Sequence, residues 1–189
     1  MAMKPGERRL SILHMLATML ENPRSEKVTT AALAAKLDVS EAALYRHFAS
    51  KAQMYEGLIE FIETTLFSFI NKIQTETTEG VAQAEQTIQM LLSFAEKNPG
   101  MTRVLIGEAL VHEDERLQSR INLLTDKLEA ALRQSLRIAQ AANGWRGDAA
   151  ADAGVLIAYV LGRWQLFAKS GFKRLPQDGW ALQRKFLFD

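Results

Sequence analysis

The chain has 189 residues, of which 48% are hydrophobic and 24% are charged, and its net charge is +1. This balance supports a folded domain with a sizeable core and excludes a disordered or fibrous protein. The absence of cysteine excludes a disulfide framework, a cysteine-ligated zinc site and a thiol nucleophile.

Charge is distributed unevenly along the chain. Residues 1–52 contain eight basic and five acidic side chains, a net +3, whereas the remainder contains fifteen and seventeen, a net −2. A basic N-terminal segment is typical of a chain whose first part binds phosphates, although chance can give the same asymmetry. Because no apolar run is long enough for a signal peptide or a membrane span, we expect a cytoplasmic protein with no membrane partner.

Hydrophobic periodicity predicts helices along nearly the whole chain, and no run alternates long enough to predict a strand. In chain order, the predicted helices span residues 7–21, 30–37, 41–48, 51–73, 82–96, 101–110, 116–140 and 149–170. Pro23 and Pro99 interrupt this pattern between helices, and the polar run 74–80 predicts a further loop. The expected fold class is all-α.

Residues 29–48, TTAALAAKLDVSEAALYRHF, have helix-turn-helix spacing. The small residue Ala34 permits close approach of the second helix, and Asp38 tolerates the left-handed turn that must follow. The apolar residues expected to fill the wedge between the helices are Leu33, Leu37, Val39 and Leu44. Since a helical hairpin without DNA-binding activity can have the same features, this spacing leaves both interpretations open.

The second helix of this motif predicts a surface for a DNA major groove. The candidates to meet base edges are Ser40, Glu41, Ala42 and Arg46. Arg46 could equally form a surface ion pair. Thr29 and Thr30, at the start of the preceding helix, suit a phosphate, although plain helix capping also explains them.

The segment from Thr29 to Lys51, with LYRHF at 44–48 followed by Ser50 and Lys51, resembles the TetR family of dimeric DNA-binding regulators. The resemblance implies about nine helices, in an N-terminal three-helix DNA-binding domain (residues 1–52) and a C-terminal helical dimerisation domain (residues 53–189). The chain departs from the family at Ala49, where most members have proline, so we expect a slightly looser turn there.

The same resemblance implies phosphate contacts by three further residues. These are Tyr45, His47 and Lys51, which stand where TetR members carry phosphate clamps. His47 could instead be a structural histidine.

Three motifs outside the DNA-binding segment are more specific. They are LIEFIE at 58–63, NPGMTR at 98–103 and RLQSRIN at 116–122, and they resemble the nucleoid occlusion factors of the TetR family. This resemblance implies a homodimer that binds palindromic double-stranded DNA on the nucleoid. It also implies that the dimer engages the tubulin-like division protein FtsZ while DNA-bound and blocks assembly of the division ring. No small-molecule effector is implied.

A groove between helices 51–73 and 82–96 is the candidate site for the C-terminal segment of FtsZ. The residues expected to form it are Phe61, Met90 and Leu91, with Lys97 and Asn98 meeting an acidic peptide. Periodicity by itself favours a core position for Phe61 and Leu91. The related factors tend to be basic along the first of these helices, where this chain has Phe69.

The last two predicted helices, 116–140 and 149–170, have broad apolar faces that could pack onto a second subunit as a four-helix bundle. The predicted anchors of this dimer contact are Leu124, Leu128, Ile157, Val160, Leu161 and Trp164. The alternative is that these residues form intrachain core only.

Other function classes have weaker support. His14, His47 and His112 have no metal-ligand spacing, and no glycine-rich phosphate loop occurs, so neither an enzyme nor a metal or cofactor site is predicted. One rival is a TetR-type repressor released from DNA by a small hydrophobic effector. Its pocket would consist of Phe94, Leu105, Trp164 and Phe167. A helical interaction protein without DNA binding is the other rival, and the match at 29–51 argues against it.

Overall fold

The computed structural model describes residues 5–22 and 28–188, and in this part of the chain it has nine α-helices and no strand. The helices are α1 (Pro5–Leu20), α2 (Thr30–Lys36), α3 (Glu41–Tyr45), α4 (Lys51–Glu76), α5 (Gly80–Lys97), α6 (Pro99–Leu105), α7 (Glu115–Ala141), α8 (Ala149–Lys169) and α9 (Trp180–Phe188). A 3-10 helix, Glu108–Leu110, connects α6 and α7. The all-α prediction is confirmed; Pro23, expected to follow the first helix, lies outside the described residues.

The loop predicted at 74–80 is much shorter in the structure. Helix α4 continues to Glu76 and α5 begins at Gly80, so only residues 77–79 lie between them. The buried amide of Gln83 closes this turn by donating a 2.7 Å hydrogen bond to the carbonyl of Thr77. A Cβ at Gly80 would lie 2.3 Å from the carbonyl oxygen of Ser135, so the tight start of α5 requires glycine.

Two other helix predictions were too long, and one helix was missed. The helix predicted over 41–48 ends at Tyr45, and the helix predicted over 101–110 divides into α6 and the 3-10 helix. Helix α9 was not predicted, because its nine residues are too few for a strong periodic signal. In the described part of the chain, no helix is long and apolar enough to span a bilayer.

The chain divides into two compact units, each formed from two stretches of sequence. The first combines Met1–Ile62 with Asn98–Ile121, and the second combines Glu63–Lys97 with Asn122–Asp189. The domain boundary predicted after residue 52 therefore falls near the start of α4, inside the first unit.

In the first unit, α6 packs closely on the end of α1. A Cβ at Gly100 would lie 1.9 Å from the carbonyl oxygen of Ala17. One turn later, the Arg103 guanidinium donates to the carbonyls of Leu20 (3.0 Å) and Asn22 (3.2 Å). Because these carbonyls lie at and just beyond the end of α1, Arg103 satisfies backbone acceptors that the helix leaves open.

In the second unit, α8 supplies much of the core and holds α9. The indole of Trp164 is buried and donates to the carbonyl of Leu91 on α5 (3.1 Å). The guanidinium of Arg163 donates to three carbonyls in the turn before α9, those of Leu175, Pro176 and Asp178. These contacts between distant residues stabilise α9 although its own sequence is a weak helix signal.

Candidate nucleic-acid interface

The turn between α2 and α3 has the backbone that the sequence predicts. Asp38 is left-handed, with a φ of 53°. Its N–H donates to the carbonyl of Ala35 (3.2 Å), and the N–H of Val39 donates to the carbonyl of Ala34 (3.1 Å). These two bonds form a Schellman motif, which ends α2 and directs the chain into α3.

The packing of α2 on α3 also agrees largely with prediction. Leu33, Ala34 and Leu44 are buried at the contact. Leu37 and Val39, which were predicted to fill the same wedge, are only half-buried. They line the wall of a surface pocket of about 210 Å³ together with Arg8, Ile12, Ala43, Leu44, Arg46 and His47.

Each helix around this turn begins with a hydroxyl cap. Thr29 accepts the N–H of Ala32 (3.1 Å) at the start of α2, and Ser40 accepts the N–H of Ala43 (3.2 Å) at the start of α3. Of the two threonines considered as caps, Thr29 is the one that caps α2, and Ser40 caps α3 in the same way. An accepting hydroxyl retains its own proton as a donor, so capping does not prevent either residue from also binding a phosphate or a base.

Helix α3 is exposed along the face that sequence analysis assigned to base edges. The exposed residues are Ser40, Glu41, Ala42, Tyr45 and Arg46. Among the residues that the structure describes, Arg46 has no ion-pair partner, so the alternative of an intrachain ion pair is not realised. A free guanidinium on this face can donate two parallel hydrogen bonds to guanine.

A chain of side-chain contacts links the start of α2 to α3. The hydroxyl of Thr30 donates to the carboxylate of Glu41 (2.6 Å), and the hydroxyl of Tyr45 lies 3.5 Å from that of Thr30. One carboxylate oxygen of Glu41 therefore has a partner within the motif, and the other can still accept a hydrogen bond from a base edge.

Sequence analysis missed Arg9, which ties α1 to the end of the helix-turn-helix. Its guanidinium lies 4.2 Å above the ring of Phe48 and donates to the carbonyl of His47 (2.6 Å). Both contacts join residues far apart in sequence, so only the basic pair Arg8-Arg9 signalled that this end of α1 is cationic.

Lys51, Thr29 and Thr30, three of the predicted phosphate contacts, lie close together on the wall of a mainly apolar crevice that is too narrow for a water molecule. The Nζ atom of Lys51 is 2.5 Å from a carboxylate oxygen of Glu113 and 5.6 Å from the centre of the Tyr55 ring. Burial, together with the charge of Glu113, raises the pKa of Tyr55 well above its usual range. Glu113 was not among the predicted site residues, since it lies between the predicted helices 101–110 and 116–140 and belongs to none of the motifs.

Two family models match the chain. A model described as "Bacterial regulatory proteins, tetR family" matches residues 26–58, and one for SlmA-like C-terminal domains, described as "Tetracyclin repressor-like, C-terminal domain", matches residues 78–189. The nucleoid occlusion factor SlmA of Alteromonas mediterranea is 49% identical over 94% of this chain and 92% of its own length. That of Shewanella sediminis is 47% identical over 99% and 96%.

The chain belongs to the SlmA branch of the TetR family.

Solved structures agree on the fold. The fatty acid degradation regulator FadR of Bacillus halodurans superimposes with a TM-score of 0.82 over 98% of this chain and 97% of its own, at 12% identity. The TetR-family regulator PfmR of Thermus thermophilus gives a TM-score of 0.77 over 94% and 96%, at 20% identity. At such low identity these likenesses concern the TetR fold alone.

The residues of this SlmA-family chain that were predicted to bind the FtsZ segment are divided between the two units. Phe61 and Asn98 lie in the first unit, and Met90, Leu91 and Lys97 lie in the second. Phe61 is half-buried, with its ring 5.4 Å from that of His14, whereas Lys97 is exposed. Leu91 has no exposed surface. Its side chain belongs to the core of this chain, and contact of Leu91 with a partner stays a prediction.

Most of the predicted dimer anchors of this SlmA-family chain lie in its core. Five of them, Leu124, Leu128, Ile157, Val160 and Trp164, are buried within the single chain, and Leu161 is half-buried. These five are core residues of the single chain, and their part in a dimer contact stays a prediction. The effector pocket considered for a repressor consists likewise of buried side chains, namely Phe94, Leu105, Trp164 and Phe167.

Proposed function

We propose that this protein is a nucleoid occlusion factor. In this proposal a homodimer binds palindromic duplex DNA on the nucleoid, engages the C-terminal segment of FtsZ while bound and blocks assembly of the division ring. The similarity to SlmA proteins over nearly the whole chain supports the overall role. The observation that carries the DNA-binding part is the exposed face of α3.

On DNA, α3 enters the major groove, and its neighbours hold the phosphates on either side. Ser40, Glu41, Ala42 and Arg46 are the residues that meet base edges. Thr29, Thr30, Tyr45, His47 and Lys51 are the residues that contact phosphates. The proximity of Thr29 and Lys51, which line the same crevice, supports this division, because neighbouring donors can contact one stretch of backbone.

A palindromic site requires two copies of α3, and we assign the dimer contact to the outer face of α8. Four residues spaced three or four apart on this face are exposed and are apolar or small, namely Val155, Ala158, Gly162 and Leu166. Small residues permit close approach of a partner helix. On α7 the exposed Leu123 offers a further apolar contact.

For the FtsZ segment, the accessible candidates are Phe61, Met90, Lys97 and Asn98. Lys97 is exposed and suits an acidic peptide. Phe69 on α4 is 46% exposed, in a region where related factors tend to be basic. We therefore assign apolar contact a larger share of this interaction than charge.

The test measures light scattering of FtsZ assembly in the presence of this protein, with and without a duplex that the protein has selected from a random pool. We expect antagonism of FtsZ polymers to require that duplex. A Phe61→Ala, Lys97→Glu double variant should lose the effect on FtsZ and still bind the duplex. Unchanged FtsZ assembly with the wild-type protein on its duplex would contradict the proposal.

A further inference from the structure

We infer that Glu113 sets the DNA affinity of this protein by competing with phosphate for Lys51. The inference rests on the proposed DNA-binding function, and it concerns a residue far from the helix-turn-helix in sequence. It follows from the position of one ion pair in the first unit.

The ion pair is close and poorly accessible to water. Nζ of Lys51 lies 2.5 Å from a carboxylate oxygen of Glu113, and only 23% and 11% of the two side chains are exposed. Because water screens such a pair incompletely, the carboxylate neutralises most of the charge that Lys51 would present to a phosphate.

Local bonds hold Glu113 in position. Its N–H donates to the carbonyl of Leu110 (2.9 Å), at the end of the 3-10 helix. The next residue, Asp114, accepts hydrogen bonds from the backbone N–H of Arg116 (3.0 Å) and from its guanidinium (2.8 and 3.1 Å). The carboxylate of Glu113 is thus carried on a bonded turn, and a phosphate must displace it to reach Lys51.

Lys51 lines the crevice that it shares with Thr29 and Thr30. The Thr29 hydroxyl, which caps α2 as an acceptor, keeps a proton that it can donate to a phosphate. A phosphate held there would approach the same ammonium that Glu113 occupies. Exchange of carboxylate for phosphate leaves an uncompensated negative charge on Glu113 near the DNA backbone, which weakens binding to every sequence alike.

The experiment measures duplex affinity of the full-length protein as a function of salt for wild type and Glu113→Gln. The variant keeps the shape of the side chain and removes its charge. We expect several-fold tighter binding to specific and random duplexes, and a plot of log affinity against log salt that is steeper by up to about 0.9, the increment for one neutralised phosphate.

Two comparisons separate this mechanism from simpler effects. Glu108→Gln makes the same change in net charge on the same connecting segment, where the acid pairs with Arg103 (2.8 Å) instead of Lys51, and it should leave affinity close to wild type. In a Lys51→Met background, Glu113→Gln should lose its effect on the salt dependence.

Thermal unfolding identifies variants that do not fold. If Glu113→Gln is among them, Glu113→Asp retains the charge on a shorter side chain and should give a smaller gain in affinity. Affinity and slope equal to those of Glu108→Gln, or weaker binding by a folded Glu113 variant, would overturn the inference. A wild-type protein that binds no duplex would instead overturn the proposed function.

Discussion

The side-chain carbonyl of Gln53 accepts a hydrogen bond from the backbone N–H of Ala49 at 2.9 Å, across the start of α4. The N–H of Gln53 in turn donates to the hydroxyl of Ser50 (3.1 Å), so the two residues cap the helix from both directions. A proline at position 49, as in most TetR members, would have no N–H to donate. The turn before α4 is therefore fixed by a hydrogen bond that a proline at this position could not make.

Replacement of Gln53 by alanine should remove this bond. We expect Gln53→Ala to lower the free energy of unfolding by about 1 kcal/mol, the usual net value of one such hydrogen bond. Denaturant unfolding measures the change, and Gln89→Ala, at an exposed position on α5, is the matched control. In an Ala49→Pro background the loss should shrink; an undiminished loss would contradict this role of the Ala49 amide.

The contact of α6 with α1 predicts that Gly100→Ala is strongly destabilising. The new Cβ would lie 1.9 Å from the carbonyl oxygen of Ala17, and backbone cannot move aside as a flexible side chain can. We expect a loss of about 3 kcal/mol or more. At Gly6 an added Cβ would meet no described atom within 4 Å beyond its own stretch of helix. Gly6→Ala should therefore stabilise α1 by up to about 1 kcal/mol. Similar melting temperatures for the two variants would show that α6 packs differently.

Arg46 should contribute to sequence discrimination rather than to general affinity. We expect Arg46→Ala to weaken binding to the selected duplex by about 1–3 kcal/mol and binding to random duplex much less. Fluorescence anisotropy titration of both duplexes checks this. Arg146→Ala, an exposed arginine before α8, is the control for loss of one positive charge. Equal weakening on both duplexes would reassign Arg46 to phosphate contact.

The outer face of α8 predicts how the dimer can be disrupted. Val155 is 59% exposed, and a carboxylate there would be buried without a partner on association. We expect Val155→Glu to raise the dimer dissociation constant at least about a hundredfold, since an unpaired buried charge costs several kcal/mol. Light scattering after gel filtration gives the mass. Val111→Glu, at a valine 71% exposed in the first unit, should remain dimeric.

Two carboxylates that begin helices predict acid sensitivity. Hydrogen bonds from the side chain and backbone of Arg116 lower the pKa of Asp114 to about 2, and the backbone N–H groups of Ala151 and Ala150 lower that of Asp148. Because folding lowers both pKa values, the stability they contribute is present above about pH 4 and is lost as the pH falls through the folded values.

Melting temperature measured from pH 5 to pH 2 tests this dependence. Asp114→Ala and Asp148→Ala should each lower stability at pH 5 and lose less than wild type on acidification. Asp126→Ala is the control, because Asp126 is an exposed residue on α7 that makes no such hydrogen bond. Parallel profiles for wild type and both variants would contradict the assignment.

Local sequence determined the parts of this protein that depend on neighbouring residues. The left-handed Asp38 and the Thr29 and Ser40 caps were all predictable, because each depends on backbone groups within about five residues. The same holds for the exposed face of α3, and the family likeness could be read there because the motif is contiguous.

Only the tertiary structure decided which apolar faces are covered and which charges meet. Periodicity marked Leu91, Leu124 and Trp164 as apolar positions, but an apolar face packs equally well on its own chain or on a partner, and here its own chain covers it. Likewise, Lys51 and Glu113 are 62 residues apart, and a Coulombic contact depends on distance in space, which no local pattern encodes.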